Sequence, residues 1–286
     1  MFCNQILKKG ALFIIFSLFL FTACKKHDSN PISDVDDNGG YASDVSKMEW
    51  LSNDAISIAD AAGNYYNGVY MRTTNTFGNC AVISPDTLHS PHIIIIRFGD
   101  VNCQCLDGRN RRGSIIISYD SIYQHKDQLH TITFDHYYVN DVQLGGSVKV
   151  TRIDTTVVGN WYYNVKVDES LTTASNQIIY WQGSLIRKWV RGYNTGDRSD
   201  NVFSISGNAT ITRANGHKFS VDISTPLQFA LNCDYCESGV IDVSTYTGLR
   251  QVDYSVSSGS ETGSCDNVAK LNISGHIYPL TLTNYW

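Results

Sequence analysis

The stretch WYYNVKVD, residues 161–168, alternates strictly between two kinds of side chain. Trp161, Tyr163, Val165 and Val167 occupy every second position, and the positions between them are mostly polar. Successive side chains of a β-strand point to opposite faces, so this period of two predicts a strand with one buried face and one wet face. That arrangement is typical of antiparallel sheets.

The same period of two recurs along much of the chain, for example in residues 115–119, 132–138 and 203–212. Turn residues separate the runs, and Asn215-Gly216 predicts a two-residue type I′ hairpin. The order of the segments gives no indication of a βαβ unit. We therefore expect an all-β fold, built as a mainly antiparallel sandwich or as barrel-like sheets.

One helix is expected ahead of the strands. Apolar residues recur at three- and four-residue steps in residues 43–62, beginning with Val45, Met48 and Leu51. This spacing places them on one side of a helix, which would pack on the core. We expect Gly63-Asn64 to end the helix.

The N-terminal residues have the pattern of a secretory signal. Lys8 and Lys9 precede an apolar run over residues 11–21. The run is shorter than the roughly 20 apolar residues that a membrane span requires, and it ends in small residues directly before Cys24. We therefore expect the segment ahead of Cys24 to be removed and the cysteine itself to carry a lipid.

Three parts of the chain follow from this pattern. Residues 1–23 form a lipoprotein signal peptide, residues 24–42 contain the lipidated cysteine and a flexible polar tether, and residues 43–286 form a β-rich domain. Cysteines frame both ends of the β region, which suggests two β sub-modules. A lipid on Cys24 would insert in a bilayer, so the lipid bilayer is the first expected partner. We expect anchoring in a bacterial envelope membrane, specifically the outer membrane. The sequence is compatible with a position on the periplasmic side of that membrane and with one on the cell surface.

Cysteine usage fits an exported protein. Six cysteines remain after the signal peptide and the lipidated residue: Cys80, Cys103, Cys105, Cys233, Cys236 and Cys265. An even number in an exported chain favours disulfides. We expect Cys233 to pair with Cys265, and Cys80 to pair with Cys103 or Cys105, because each bridge closes a local loop. The cysteine left over from the second pair is either free or bonded to Cys236.

Several segments resemble a family of uncharacterised lipoproteins of the Bacteroidota. The first is NCQCLDGRNRRG at residues 102–113, which has the pattern C-x-C-x-D-G-R-x-R-R-G. Further matches are HTITFDHYYVND at residues 130–141 and GSCDN at residues 263–267, a G-x-C-D-N motif. The resemblance covers the chain from about Cys80 onward and implies no catalytic residues. Cys236 departs from the family pattern.

Two sets of side chains are candidates for ligand contact. Arg109, Arg111 and Arg112 form a basic cluster after the second cysteine of the first motif, and guanidinium groups bind anions or acidic glycans well. The alternative is that they pair with nearby carboxylates around the Asp107-Gly108 turn. Tyr137 and Tyr162 are expected on the wet sheet face, where aromatic rings can stack on sugars.

Motifs for catalysis or metal binding are missing from the sequence. There is no G-x-S-x-G and no H-E-x-x-H, and the calcium-loop opening at residues 34–39 has valine where the bidentate glutamate belongs. The net charge of −5 does not favour a nucleic-acid partner. We expect a non-catalytic envelope lipoprotein without a cofactor, with a binding or structural role and a glycan or protein partner. The alternative is a β-scaffold hydrolase or a glycan-binding protein that acts on surface polysaccharide.

Overall fold

The computed structural model describes residues 40–66, 79–123, 125–153, 161–193, 195, 197–255 and 265–283. The predicted signal peptide, Cys24 and most of the tether lie outside these residues. Within them, one α-helix, α1 (Gly40–Tyr66), precedes thirteen strands. The strands are β1 (Val82–Asp86), β2 (His92–Gln104), β3 (Asn110–Tyr119), β4 (Leu129–Val139), β5 (Val142–Ile153), β6 (Trp161–Thr172), β7 (Ile178–Arg191), β8 (Val202–Thr212), β9 (Lys218–Ala230), β10 (Ser238–Thr245), β11 (Gly248–Asp253), β12 (Val268–Ile273) and β13 (His276–Thr281).

All thirteen strands form one sheet, and their order in the sheet is their order in the chain. Each strand pairs antiparallel with the next, as in the register of Trp161 with Trp189 between β6 and β7. The mainly antiparallel β fold with one N-terminal helix is therefore confirmed. The two edge strands, β1 and β13, contain Pro85 and Pro279. Proline cannot donate a ladder hydrogen bond and is confined to such edges, so it discourages pairing with a further strand.

The sheet curls around α1 in a sandwich-like arrangement. The turn between β2 and β3 meets loops from the second half of the chain, where Arg109 lies 2.7 Å from Asp234 and Arg198 lies 3.5 Å from Asp107. The inward positions of the long strands supply the core around the helix, as the alternation predicts. Val165 and Val167 of β6 are buried, for example, while Lys166 is exposed.

The helix is buried on every side, although the sequence suggests only an apolar stripe. Every residue from 41 to 59 is buried, including nine polar or charged residues. Side chains and backbone groups of the sheet and its loops bond to many of them: Arg213 contacts Asp44, and the Cys236 backbone amide donates to the Ser46 hydroxyl. Among the described residues, no helix is both long enough and apolar enough to cross a membrane.

The helix continues past the glycine that was expected to end it. Gly63 lies inside α1, and a Cβ atom there would lie 2.4 Å from the ring of Tyr123. The glycine therefore permits close packing between the helix and the loop after β3, and it does not act as a stop signal.

A bulge in β4 reverses the predicted alternation. The pairing register with β5 shifts between Thr133 and Tyr137, and His136 has a positive φ of 45°. On the neighbouring strand, a Cβ atom at Gly113 would lie 1.9 Å from the carbonyl oxygen of His136. The extra residue turns Tyr137 inward, because a one-residue slip moves every later side chain to the opposite face.

The Asn215-Gly216 segment does form a hairpin between β8 and β9, but not the predicted type I′ turn. Only Gly216 of the two has a positive φ, 81°, whereas type I′ needs both. The Gly216 amide donates to the Arg213 carbonyl at 2.8 Å, and the Arg213 amide donates to the His217 carbonyl at 2.9 Å. The loop is thus the three-residue kind, residues 214–216, in which a glycine with positive φ occupies the last position of the turn.

Candidate functional site

The basic cluster of the first motif is mostly internal. Arg111 is 2% exposed, and its guanidinium contacts the carboxylates of Asp54 at 3.0 Å and Asp107 at 2.7 Å. Arg109 is also buried and contacts Asp234 at 2.7 Å. Of the two interpretations of these arginines, the structure shows the pairing with carboxylates of the protein itself and corrects the contact with a ligand.

These contacts belong to a larger set of ion pairs, which we call the Asp54 cluster. Its members are Asp54, Asp107, Arg109, Arg111, Arg198 and Asp234. Arg198 contacts Asp54 and also donates to its backbone carbonyl at 3.1 Å. The guanidinium groups of Arg111 and Arg198 outweigh the effect of burial and lower the pKa of Asp54. The cluster therefore ties the middle of α1 to β3 and to three loops.

Arg112 differs from its neighbours in the motif. It contacts Asp141 and donates a hydrogen bond to the Asn102 side-chain oxygen at 2.7 Å, and its guanidinium carbon lies 3.8 Å from the centre of the Tyr138 ring. Its side chain is 23% exposed. It is the one member of the predicted arginine set that remains near the surface.

The two predicted tyrosines lie on opposite faces of the sheet. Tyr137 is fully buried and stacks on Phe134 at 5.8 Å, so its expected outward position is wrong because of the bulge in β4. Tyr162 points outward as expected and is half-buried. The ammonium group of Lys188 on β7 lies 5.2 Å from the centre of its ring.

The cysteines form the two predicted local bridges. Cys233 pairs with Cys265, and Cys80 pairs with Cys103 rather than with Cys105, each with a Cα–Cα distance of 5.5 Å. Cys105 and Cys236 are both buried free thiols, so they do not form a third bridge. Burial raises the pKa of each thiol, which keeps them protonated and unreactive at neutral pH.

A pair of buried carboxyl groups lies near the middle of α1. Glu49 of the helix and Glu169 of β6 are each 1% exposed, and they account for two of the four glutamates in the chain. Ser52 donates a hydrogen bond to Glu169, while the Oε1 atom of each glutamate has no hydrogen-bond partner among the described residues. Burial, reinforced by Glu169, raises the pKa of Glu49 to about 8. Burial also raises the pKa of Glu169 to about 8.

A small cavity adjoins Glu49 between the helix and the sheet. Its polar lining is Glu49, Ser52, Asn53 and Arg187, and its volume of about 10 Å³ is close to the minimum for one water molecule. A substrate does not fit in this space.

The candidate ligand site lies further along, near the C-terminal end of α1. Asp60 accepts a hydrogen bond from the Tyr123 hydroxyl at 3.4 Å, and its other oxygen lies 3.6 Å from the NH1 atom of Arg187. Its side chain is 19% exposed, so solvent reaches it. Burial raises the pKa of Asp60, and the guanidinium of Arg187 offsets part of that rise.

Arg187 is held rigidly beside this carboxyl group. Its Nε atom donates to Asn53 and its NH2 atom to Ser57, both at 2.9 Å, and its guanidinium carbon lies 3.5 Å from the centre of the Phe203 ring. The NH1 atom, which faces Asp60, has no hydrogen-bond partner among the described residues. This donor is directed at the Asp60 carboxylate, with which it forms an ion pair at 3.6 Å.

His130 lies behind the same carboxyl group. Its ring stacks on Tyr123 with a centroid distance of 4.0 Å and an interplanar angle of 12°. Burial lowers the pKa of His130, which keeps the imidazole neutral at pH 7 although Asp60 acts in the opposite direction. The Nε2 atom is buried without a hydrogen-bond partner in the described part of the chain.

Two tryptophans form the outer side of the site. Trp161 and Trp189 are paired in register on β6 and β7, two residues beyond the pair of Tyr163 and Arg187 on the same face. Tyr163 and Arg187 are buried, whereas both tryptophans are half-buried. We call the group made by Asp60, Tyr123, His130, Arg187, Trp161 and Trp189 the Asp60 site.

The alternation of β6 and β7 contains the signal that would have identified part of this site. Glu169 is in phase with the buried Val165 and Val167, and Arg187 is in phase with the buried Leu185. A charged residue at an apolar position of a strand indicates a buried charge, and such charges need a partner. Asp60 has no comparable signal, because its position depends on how the sheet curls around the helix.

Comparison with known proteins found no matching family model, no matching curated protein and no matching solved structure.

Proposed function

We propose that this chain is an envelope protein anchored in the outer membrane by a lipid on Cys24. It binds a ligand at the Asp60 site and does not catalyse a reaction. The observation that carries the proposal is the order of features along α1. The segment from Cys24 joins the helix at Gly40, and Asp60 follows twenty residues later. At 1.5 Å per residue, the site is about 30 Å along the helix from the tether.

The first turn of α1, which follows the proposed tether, is bonded to several parts of the sheet. The Tyr254 hydroxyl donates to the Ala42 carbonyl at 2.8 Å, and the Thr283 amide donates to the Ser43 hydroxyl at 2.8 Å. Arg213 contacts Asp44 at 2.5 Å. These bonds come from parts of the sheet far apart in sequence, so the start of α1, next to the proposed tether, is fixed to the domain at several points.

The position of the helix supports binding over catalysis. A curled sheet commonly encloses its ligand on the concave face, but here α1 fills that face from Tyr41 to Ala59. A ligand therefore has access to the end of the core at the Asp60 site, to the loops and to the outer face. An end of the core with aromatic rings and a few fixed polar groups is suited to holding part of a larger molecule.

Membrane fractionation of a Cys24→Ser variant tests the anchor. We expect the variant to leave the membrane fraction or to accumulate unprocessed, because its serine has no thiol for lipid attachment. Cys105→Ser is the matched control, since Cys105 is a buried free thiol within the folded domain. If the Cys24 variant still fractionates with membranes as the wild type does, the anchor is wrong.

A further inference from the structure

We infer that the end of the domain where α1 begins lies against the bilayer, with Tyr246 and Leu249 of the β10–β11 hairpin in contact with the lipid headgroup region. The inference rests on the proposed function, because the lipid on Cys24 is what brings the domain to a membrane. It goes beyond that function, because a lipid on one residue holds the domain near the bilayer without fixing its orientation. A contact between the folded domain and the headgroups fixes it.

The two ends of the sheet are defined by its alternate turns. Because the strands are antiparallel and follow chain order, the turns after β6, β8, β10 and β12 lie at one end, and those after β7, β9 and β11 lie at the other. The helix begins at the first end, where a Cβ atom on Gly40 would lie 2.7 Å from the guanidinium of Arg213 in the β8–β9 turn. Asp60, twenty residues later, meets Arg187 near the end of β7. We call the first end the tether end and the second the far end.

The β10–β11 hairpin lies beside the start of the helix. Within the β8–β9 turn, the Arg213 amide donates to the His217 carbonyl at 2.9 Å, and the His217 ring lies 5.8 Å from the ring of Tyr246. A short chain of contacts therefore joins Gly40 to Tyr246. In the proposed anchor, Cys24 precedes Gly40 by sixteen residues, which span at most about 55 Å when fully extended. The anchor keeps the hairpin within reach of the headgroups, so a weak contact is enough to orient the domain.

Apolar side chains are exposed at the tip of this hairpin. Tyr246 is 73% exposed and Leu249 is 60% exposed. The turn is held by its own bonds, because the Thr245 hydroxyl donates to the Gly248 carbonyl at 3.0 Å and accepts from the Thr247 amide at 3.3 Å. Tyrosine is enriched where a membrane meets water, since its ring enters the apolar side while its hydroxyl stays hydrated. The hairpin therefore presents a suitable contact for the headgroup region.

The charges of the turns distinguish the tether end from the far end. The tether-end turns comprise residues 173–177, 213–217, 246–247 and 274–275. They contain one arginine and no acidic residue. The far-end turns comprise residues 192–201, 231–237 and 254–267. They contain one arginine and six acidic residues.

This difference in charge determines which end suits a membrane. Anionic lipids give a bilayer a negative surface potential, which repels carboxylates and attracts basic groups. Apolar side chains alone do not identify the surface, because Leu88 on the β1–β2 turn is 92% exposed. The β4–β5 turn, next to the tether-end turns in the sheet, contains Asp141, whose charge is paired with Arg112. The tether end therefore combines exposed apolar residues, a lack of unpaired acids and the entry of the anchor.

Fluorescence quenching of the full mature protein on vesicles tests the inference. The vesicles contain phosphatidylcholine and phosphatidylglycerol with brominated acyl chains, which quench tryptophans close to the bilayer. Tyr246→Trp adds a tryptophan at the hairpin, and most of the added fluorescence should be lost. Val190→Trp is the control and should keep its added fluorescence, because Val190 is exposed near the far end of β7. Each variant is compared with the wild type, so the native tryptophans cancel.

Ile178→Trp provides a matched comparison, because Ile178 begins the same strand at the tether end and, like Val190, is 36% exposed. Its fluorescence should be quenched, and it should recover when Tyr246→Ser and Leu249→Ser are added. The inference is overturned if Tyr246→Trp is quenched no more than Val190→Trp, or if the two serine substitutions leave the quenching at position 178 unchanged. Protein that does not float with the vesicles would overturn the anchor and the inference with it. Protein that floats with an unquenched Tyr246→Trp would retain the anchor and lose only this contact.

Discussion

Asp54 and Glu49 are both carboxylic acids on α1, five residues apart and each 1% exposed, yet they experience opposite environments. Strand β3 presents Arg111 to Asp54, and the loop between β7 and β8 presents Arg198. Strand β6 presents Glu169, another carboxyl group, to Glu49. Burial alone therefore does not decide whether an acid inside this protein is ionised; the residue on the facing strand or loop does.

The two environments have different consequences for folding. In the Asp54 cluster, guanidinium groups lower the pKa of the aspartate, so an ionised carboxylate fastens the helix to β3 and the loops. At the glutamate pair, the raised pKa values of about 8 keep both groups protonated at neutral pH. The first arrangement contributes attraction between charges, whereas the second avoids a repulsion only while its protons stay bound.

Removing the charge of Asp54 should have the largest effect. We expect Asp54→Asn to lower the free energy of unfolding by about 3–5 kcal/mol, because two buried guanidinium groups lose their shared carboxylate. Denaturant unfolding at neutral pH measures the change. Asp168→Asn is the matched control: Asp168 is exposed on β6 and accepts a hydrogen bond from Gln182 at 2.9 Å. Equal stability losses in the two variants would remove the distinction between the cluster and an ordinary surface carboxylate.

Replacing either buried glutamate should raise the free energy of unfolding. The gain should be smaller than the loss expected for Asp54→Asn, and it should depend on pH. The folded-state pKa of about 8 lies above the ordinary glutamate value of 4.5, so the folded protein binds more protons between these values. These two groups therefore lower the free energy of unfolding progressively as the pH rises from 4.5 to about 8, and they do not lower it at more acidic pH. We expect Glu49→Gln and Glu169→Gln to match the wild type near pH 4 and to be more stable near pH 9, by on the order of 1–3 kcal/mol.

Lys47 titrates in an overlapping range, so the glutamate variants must be compared with the wild type at each pH. Burial lowers the pKa of Lys47 from 10.5 to about 7, and this makes stability rise with pH between those values. The lysine is present in the wild type and in both variants, so its contribution largely cancels in the difference. A difference that stays constant from acid to alkaline pH would mean that the glutamates are ionised, or paired, throughout.

Local sequence patterns predicted the strands well because alternation is a property of each strand alone. Residues 161–168 form part of β6 with the expected inward face, and the two local disulfides formed as the spacing suggested. The same reasoning failed at Tyr137. The bulge that turns Tyr137 inward depends on Gly113 in the neighbouring strand. Any residue with a Cβ atom at position 113 would collide with the His136 carbonyl oxygen. A period of two contains no information about such a contact between strands.

The candidate site was less accessible to sequence reasoning for a related reason. Arg109 and Arg111 are adjacent in sequence to Asp107, but their other partners, Asp54 and Asp234, are far away in the chain. Nothing in the motif distinguishes a guanidinium that meets an internal carboxylate from one that meets an external anion. The fold makes that distinction when the β2–β3 turn reaches α1 and the loop after β9.

Arg112 provides the smallest and sharpest test, because it follows Arg111 directly in the chain and differs mainly in exposure. Its side chain is 23% exposed against 2% for Arg111, and its partner Asp141 is 61% exposed. Exposed ion pairs contribute little, since solvent screens them and ordering two side chains costs entropy. We therefore expect Arg112→Ala to change the free energy of unfolding by at most about 1 kcal/mol, with part of that from the lost contact with Tyr138.

Added salt should weaken the effect further, whereas the loss in Asp54→Asn should persist because its charges are buried. A loss from Arg112→Ala as large as that from Asp54→Asn would show that the motif acts as one unit, and exposure would then not be what separates its two neighbouring arginines.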